Sequence, residues 1–135
     1  MINFAEVNYL AVIVAAIAGF GVGAIWYGLL FSKQWIAAVG MTMEQMKREG
    51  SRSAIPFVLS IIACLVMAII LSAFAAPASI AGGAAAGFLA WLGFVVTTIT
   101  VNYAYPGRKL ELTVIDSGHW LAVMVVMGAI LGAFG

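Results

Sequence analysis

Long apolar stretches alternate with short polar ones along this chain, and the apolar stretches have the length of membrane spans. A helix needs about 20 predominantly apolar residues to cross a hydrocarbon core of about 30 Å. Four segments meet that requirement, at residues 7–31, 54–76, 79–105 and 110–134. The first break, "SKQWIAAVGMTMEQMKREGSRS", is the most polar part of the sequence. The second is "AAPAS", around Pro77, and the third is "YPGRK", where Pro106-Gly107 suits a tight reversal. The pattern predicts an all-α fold: one transmembrane domain over 1–135, built as an up-down-up-down four-helix bundle.

Within the connection 32–53, Thr42 and Gln45 resemble a capping box, and Gly50 is placed to stop the helix that follows. That short interfacial helix puts Met43 and Met46 on one side and Lys47 on another. It reads either as a surface gate or docking helix, or as a plain elbow with Trp35 anchored among lipid headgroups. The elbow is the preferred reading, because tryptophan and lysine are generally enriched at that depth.

Charge adds direction. Lys33, Lys47, Arg48 and Arg52 lie in the first connection, and Arg108 and Lys109 in the third. All six basic residues therefore fall on one face, which the positive-inside rule assigns to the cytoplasm, with both termini outside. The opening "MINFAEVNYL" has no basic residue, and the apolar run after it is too long for a cleaved signal sequence, so it is expected to remain as the first span. The expected setting is a cell membrane, crossed several times, as in a bacterial inner membrane.

Composition agrees: 65% of the 135 residues are hydrophobic and 8% charged, against about 25% charged in soluble domains. Six Lys/Arg against five Asp/Glu give no basic patch for nucleic acid. The sole cysteine, Cys64, cannot form a disulfide within the chain. No cofactor is expected.

Small residues recur at helical spacing. Gly19 and Gly23 stand in the first segment, Gly83 and Gly87 in the third, and Gly128 and Gly132 in the fourth. Close backbone approach at such positions supplies much of the packing between helices in lipid. Internal packing uses some of them, and the surplus points to a homo-oligomer.

The polar residues inside the spans raise the question of function. "TVIDSGHW" carries Asp116 and His119, the only histidine, one turn apart on the same helix face. Counting from Lys109 at about 1.5 Å per residue, Asp116 lies about 10 Å and His119 about 15 Å inside the membrane. An ionised Asp at the centre of a span costs about 2.5–3.5 kcal/mol on insertion scales, so a partner, a water-filled cavity or a proton must offset it. The same count brings Trp26, Tyr27 and Asn102 to similar depth, with Thr98 and Thr100 nearby and Ser60 approaching from the second span. One inward-facing cluster in the cytoplasmic half is expected.

Three readings of that cluster stay open. It lines a path for a cation, proton or small polar solute, with Asp116 as the titrating or coordinating group. It is a structural hub, since buried polar groups must be satisfied whatever else they do. Or Asp116 and His119 form half of a metal site completed by a second subunit. A haem bound to His119 would need a second ligand from Met124, Met127 or another subunit. No nucleophile triad, HExxH motif or phosphate loop is present, so no enzyme activity is expected.

"GAIWYGLLFSKQW", "VIDSGHW" and "GAILG" together resemble the bacterial and fungal membrane-protein family catalogued as domain of unknown function 1761, in order and over nearly the whole chain. The resemblance implies a small multi-pass membrane protein with no assigned biochemical role. It singles out Trp26, Tyr27, Gly28, Phe31, Trp35, Asp116 and Gly118. The family is expected to have an aromatic residue, usually tyrosine, where His119 stands here, which shifts the weight of any proton or metal role onto Asp116. Transport or permeation around Asp116 is the leading expectation, and a non-catalytic scaffold or accessory protein the alternative.

Overall fold

The computed structural model describes residues 2–50 and 54–135, and the regular elements among them are all helical. After a 3-10 turn at Phe4–Glu6, α1 (Tyr9–Ile25) continues through a π-helical turn, Trp26–Leu30. Two short helices follow, α2 (Ser32–Val39) and α3 (Met43–Gly50). The second span is α4 (Ile55–Ala75). The third is α5 (Ile80–Ala90), a second π-helical turn at Trp91–Val95, and α6 (Val96–Ala104). The last is α7 (Leu110–Ala133). Four helices are thus long and apolar enough to cross a membrane: Tyr9–Leu30, Ile55–Ala75, Ile80–Ala104 and Leu110–Ala133.

Local chemistry sets the ends of these elements. Asn8 Oδ1 accepts the Ala11 N–H at 3.2 Å, and Ser79 Oγ accepts the Gly82 N–H at 3.0 Å. The capping box is present: Gln45 N–H donates to Thr42 Oγ1 at 3.1 Å and Thr42 N–H to Gln45 Oε1 at 2.9 Å. The side chains of Met43 and Met46, and the position of Arg52, lie outside the described residues. Gly40 (φ 86°) and Gly107 (φ 70°) turn their chains in the left-handed region that glycine enters at no steric cost. Arg108 N–H then closes back onto Tyr103 O at 2.9 Å, so Pro106-Gly107 makes the tight reversal.

The contacts fix an antiparallel order. Phe20 faces Phe57 near one end of the α1/α4 pair, while Ala11 and Ser72 share a groove at the other. Gly83 meets Gly128 while Gly87 meets Met124, and Gly19 meets Met127 while Gly23 meets His119. The chain therefore runs up, down, up and down. Both termini and the Pro77 connection gather at one end, around Val7, Ala78 and Leu131.

At that end the interior is apolar and tightly filled. Val12, Ala15, Ala68, Val123 and Met127 are each no more than 2% exposed. Helix α7 lies at the centre, against α1 on one side and α5 on another. Gly83, Gly87, Gly128 and Gly132 let α5 and α7 touch backbone to backbone, and a Cβ on any of them would overlap the facing main chain. Gly19 makes room for Met127 and Val123, and Gly23 for His119. The six glycines singled out as packing positions all serve contacts within the chain.

This packing predicts a contrast. Gly128→Ala is expected to lower unfolding free energy in detergent by about 1–3 kcal/mol, the usual cost of overpacking. Gly93→Ala, where an added Cβ meets nothing within 4 Å, should leave it unchanged or slightly raised. Denaturant titration followed by helical circular dichroism checks both.

Candidate functional site

Asp116 projects from the second turn of α7 and is 9% exposed. Its carboxylate collects three donors from three other elements. Tyr27 Oη, in the first π-helical turn, donates to Oδ1 at 2.5 Å. Trp35 Nε1, from α2, donates to the same oxygen at 3.0 Å. Tyr103 Oη, from α6, donates to Oδ2 at 2.6 Å. An indole N–H can only donate, so Oδ1 is fixed as an acceptor.

Trp26 and Trp91 frame this site on either side of α7. Each opens a π-helical turn, and each spends its indole N–H on a main-chain carbonyl of α7: Trp26 on Ile115 O at 3.0 Å, Trp91 on Ser117 O at 2.7 Å. Gly118 makes room for the Trp26 ring, since a Cβ there would come within 3.0 Å of it. Ser117 Oγ donates to Thr113 O at 2.6 Å and so spends its proton within its own helix.

His119 follows one turn after Asp116 and is 8% exposed. Its ring lies between Tyr27, with centroids 4.8 Å apart, and Trp120, at 4.6 Å. Its Nδ1 is buried and has no hydrogen-bond partner.

The sequence expectations divide here. Asp116, His119, Tyr27 and Trp26 come together as expected. Asn102 and Thr98 do not: both are exposed on the outer side of α6, and Thr98 Oγ1 donates to Phe94 O at 2.8 Å in its own helix. Thr100 and Ser60 likewise donate to carbonyls four residues back, Val96 O and Pro56 O. The α6 residue that reaches Asp116 is Tyr103, the next one along from Asn102. Trp35, read as a headgroup anchor, instead turns its indole N–H inward onto the carboxylate.

No group of three or more His, Cys, Asp and Glu side chains capable of holding a metal is found among the described residues. Asp116 and His119 would make at most half a site. Met124 and Met127, the candidate axial haem ligands, are packed in the apolar core at 6% and 0% exposure.

One signal could have found Trp91. The sequences "WYGLL" at 26–30 and "WLGFV" at 91–95 share a Trp-x-Gly-apolar-apolar pattern, and both form π-helical turns. Trp91 could have been paired with Trp26 on that basis. Nothing in the sequence separates Tyr103 from Asn102, because the π-helical turn at Trp91–Val95 shifts the helical phase before both.

A family model described as "Protein of unknown function (DUF1761)" matches residues 10–132. No curated protein and no solved structure matches the chain.

The donor set can be tested by substitution. Tyr103→Phe, Tyr27→Phe and Trp35→Phe should each destabilise the protein by about 0.6–1.7 kcal/mol, the span measured for hydrogen bonds between membrane helices. Asn102→Leu should change stability by less than about 0.5 kcal/mol, as for surface positions. Unfolding in mixed detergent micelles ranks the four variants.

Proposed function

Because the chain belongs to this family of unknown function, membership brings no activity with it, and we propose from the geometry that it acts as a non-catalytic membrane scaffold or accessory protein. In this reading Asp116 is the hub that fixes helix arrangement, and no solute passes it. The observation that carries the reading is the convergence of Tyr27, Trp35 and Tyr103 on one buried carboxylate.

A cation site would surround the carboxylate with further oxygen acceptors. Here the groups that reach it present N–H and O–H hydrogens. A permeation path would also need polar groups along the whole interior. Beyond His119 the core of α7 consists of Val123, Met124, Met127 and Leu131, packed against Val12, Ala15 and Ala16. Those residues leave a passing ion nothing to replace its hydration, and an uncompensated buried charge is costly.

The proposed orientation places the first and third connections in the cytoplasm. Lys33, Arg48, Arg108 and Lys109 are all exposed there, in accord with the positive-inside rule.

Liposome flux distinguishes this reading from transport. Wild-type protein reconstituted with entrapped indicators for H⁺, Na⁺ and K⁺ should pass none of them faster than protein-free vesicles. Asp116→Asn should give the same null flux but a lower melting temperature. Wild-type flux that Asp116→Asn abolishes while the helical spectrum and melting temperature persist would overturn the scaffold role.

A further inference from the structure

The third span is the least enclosed of the four. Within its apolar stretch 6% of the residues are buried, against 28%, 22% and 44% in the first, second and fourth spans. What it turns outward also differs. The outer faces of the first two spans carry mostly large apolar side chains, such as Ile13, Ile17, Leu29, Val66, Ile70 and Phe74. On α6 and the π-helical turn before it, small and polar residues take many of those places.

They stand in two adjoining rows. Gly93, Thr97 and Val101 follow one another at four-residue spacing, with Phe94, Thr98 and Asn102 beside them, and all six are exposed. Side-chain bonds along the helix mark both rows: Thr97 Oγ1 donates to Gly93 O at 3.0 Å and Thr98 Oγ1 to Phe94 O at 2.8 Å. The threonines thereby use their protons within their own helix. Asn102, the one side-chain amide within the four spans, makes no side-chain hydrogen bond to any described residue. An added Cβ on Gly93 meets nothing within 4 Å, so no contact within the chain requires a glycine there.

We propose that this face pairs with the same face of a second copy, giving a parallel homodimer in which the two Asn102 amides hydrogen-bond each other beside a two-fold axis along the membrane normal. Copies inserted in one orientation carry Asn102 at one depth. A carboxamide is both donor and acceptor, so each satisfies the other, and a two-fold axis brings identical patches together. Lipid tails would leave the amide unpaired, and an amide in apolar surroundings without a partner is costly. A foreign helix would need a matching polar group at the same depth, which a second copy has of necessity. Gly93 and Thr97 form a small pair at helical spacing, the pattern that lets helix backbones approach closely in lipid. The six glycines used inside the bundle take no part. This pairing is independent of the scaffold role, which rests on Asp116.

The test uses the full chain carrying Cys64→Ala, reconstituted in phosphatidylcholine vesicles. Under mild oxidation Thr97→Cys should form a disulfide-linked dimer, because cysteines join only where their Cα atoms come within about 7 Å. Ile17→Cys and Val66→Cys, on the outer faces of the first two spans, should stay monomeric. Energy transfer between copies labelled at the N-terminus with donor and acceptor then follows association as lipid is added. Asn102→Leu should raise the protein-to-lipid ratio at half-association roughly five- to thirtyfold. Asn102→Gln, which keeps the amide, should lose less. Gly93→Leu should abolish transfer with the helical spectrum unchanged, and Thr97→Leu serves if Gly93→Leu unfolds.

Energy transfer no greater than random mixing gives would overturn the proposal. So would linkage through Ile17→Cys or Val66→Cys as efficient as through Thr97→Cys. Association that Asn102→Leu leaves unchanged would mean that water and headgroups satisfy the amide, and would also overturn it. Joining of Thr97→Cys to a different protein in native membranes, in place of a second copy, would do the same.

Discussion

A carboxylate inside the span of a membrane must be solvated by the protein, and the architecture at one end of this bundle follows from that requirement. Asp116 is reached from the first span, from α2 and from the third span. Each donor is worth little alone, because a helix separated within the bilayer would find other partners. Their value lies in coincidence: three side chains from distant parts of the sequence satisfy one group only if their helices share one depth and one rotation. The interaction thus selects an arrangement more than it adds stability, a role for which buried polar groups have precedent.

The two ends of the bundle are consequently held by different means. At the end with the termini, alanines and glycines allow the spans close approach, and α5 meets α7 through main-chain contact. Dispersion and close packing hold helices together in lipid, where there is no hydrophobic drive between them. At the other end, hydrogen bonds to Asp116 and to the carbonyls of Ile115 and Ser117 gather the first, third and fourth spans. Helix α4 takes part only in the first kind of packing, and residues 54–62, toward its start, are exposed. A cleft lined in part by Gly23, Phe57 and His119 opens between α1, α4 and α7 there.

Much of this was legible in the sequence because hydrophobic length and charge are one-dimensional signals. The four spans, the capping box at Thr42 and the reversal at Gly107 followed from spacing and residue type. The depth of Asp116 was legible too, and it brought Tyr27 and Trp26 to the site. Rotation about the helix axis was not legible. Asn102 and Tyr103 differ by 1.5 Å in depth but by about 100° in direction, and the more polar of the two faces outward. Polarity was a poor guide because a phenol is long enough to reach inward from a partly buried position. Trp35 was misread for a related reason: general enrichment at interfaces says nothing of where one indole N–H points.

The π-helical turns add an irregularity that no fixed period anticipates. A five-residue turn shifts everything after it relative to an ideal helix, so a phase carried from Gly19 past Trp26, or from Gly83 past Trp91, drifts from the true one. Both turns occur where a tryptophan leans on α7 and donates to its main chain. The carbonyls of Ile115 and Ser117 sit inside a helix, and each has a second lone pair to offer. Using that spare capacity lets the indoles be satisfied without placing another polar side chain in the core. The first span and the third, with their shared Trp-x-Gly pattern, thus grip α7 by the same device from two sides. Asp116 lies in sequence between the two gripped carbonyls, which is where a single carboxylate can draw on both flanking spans.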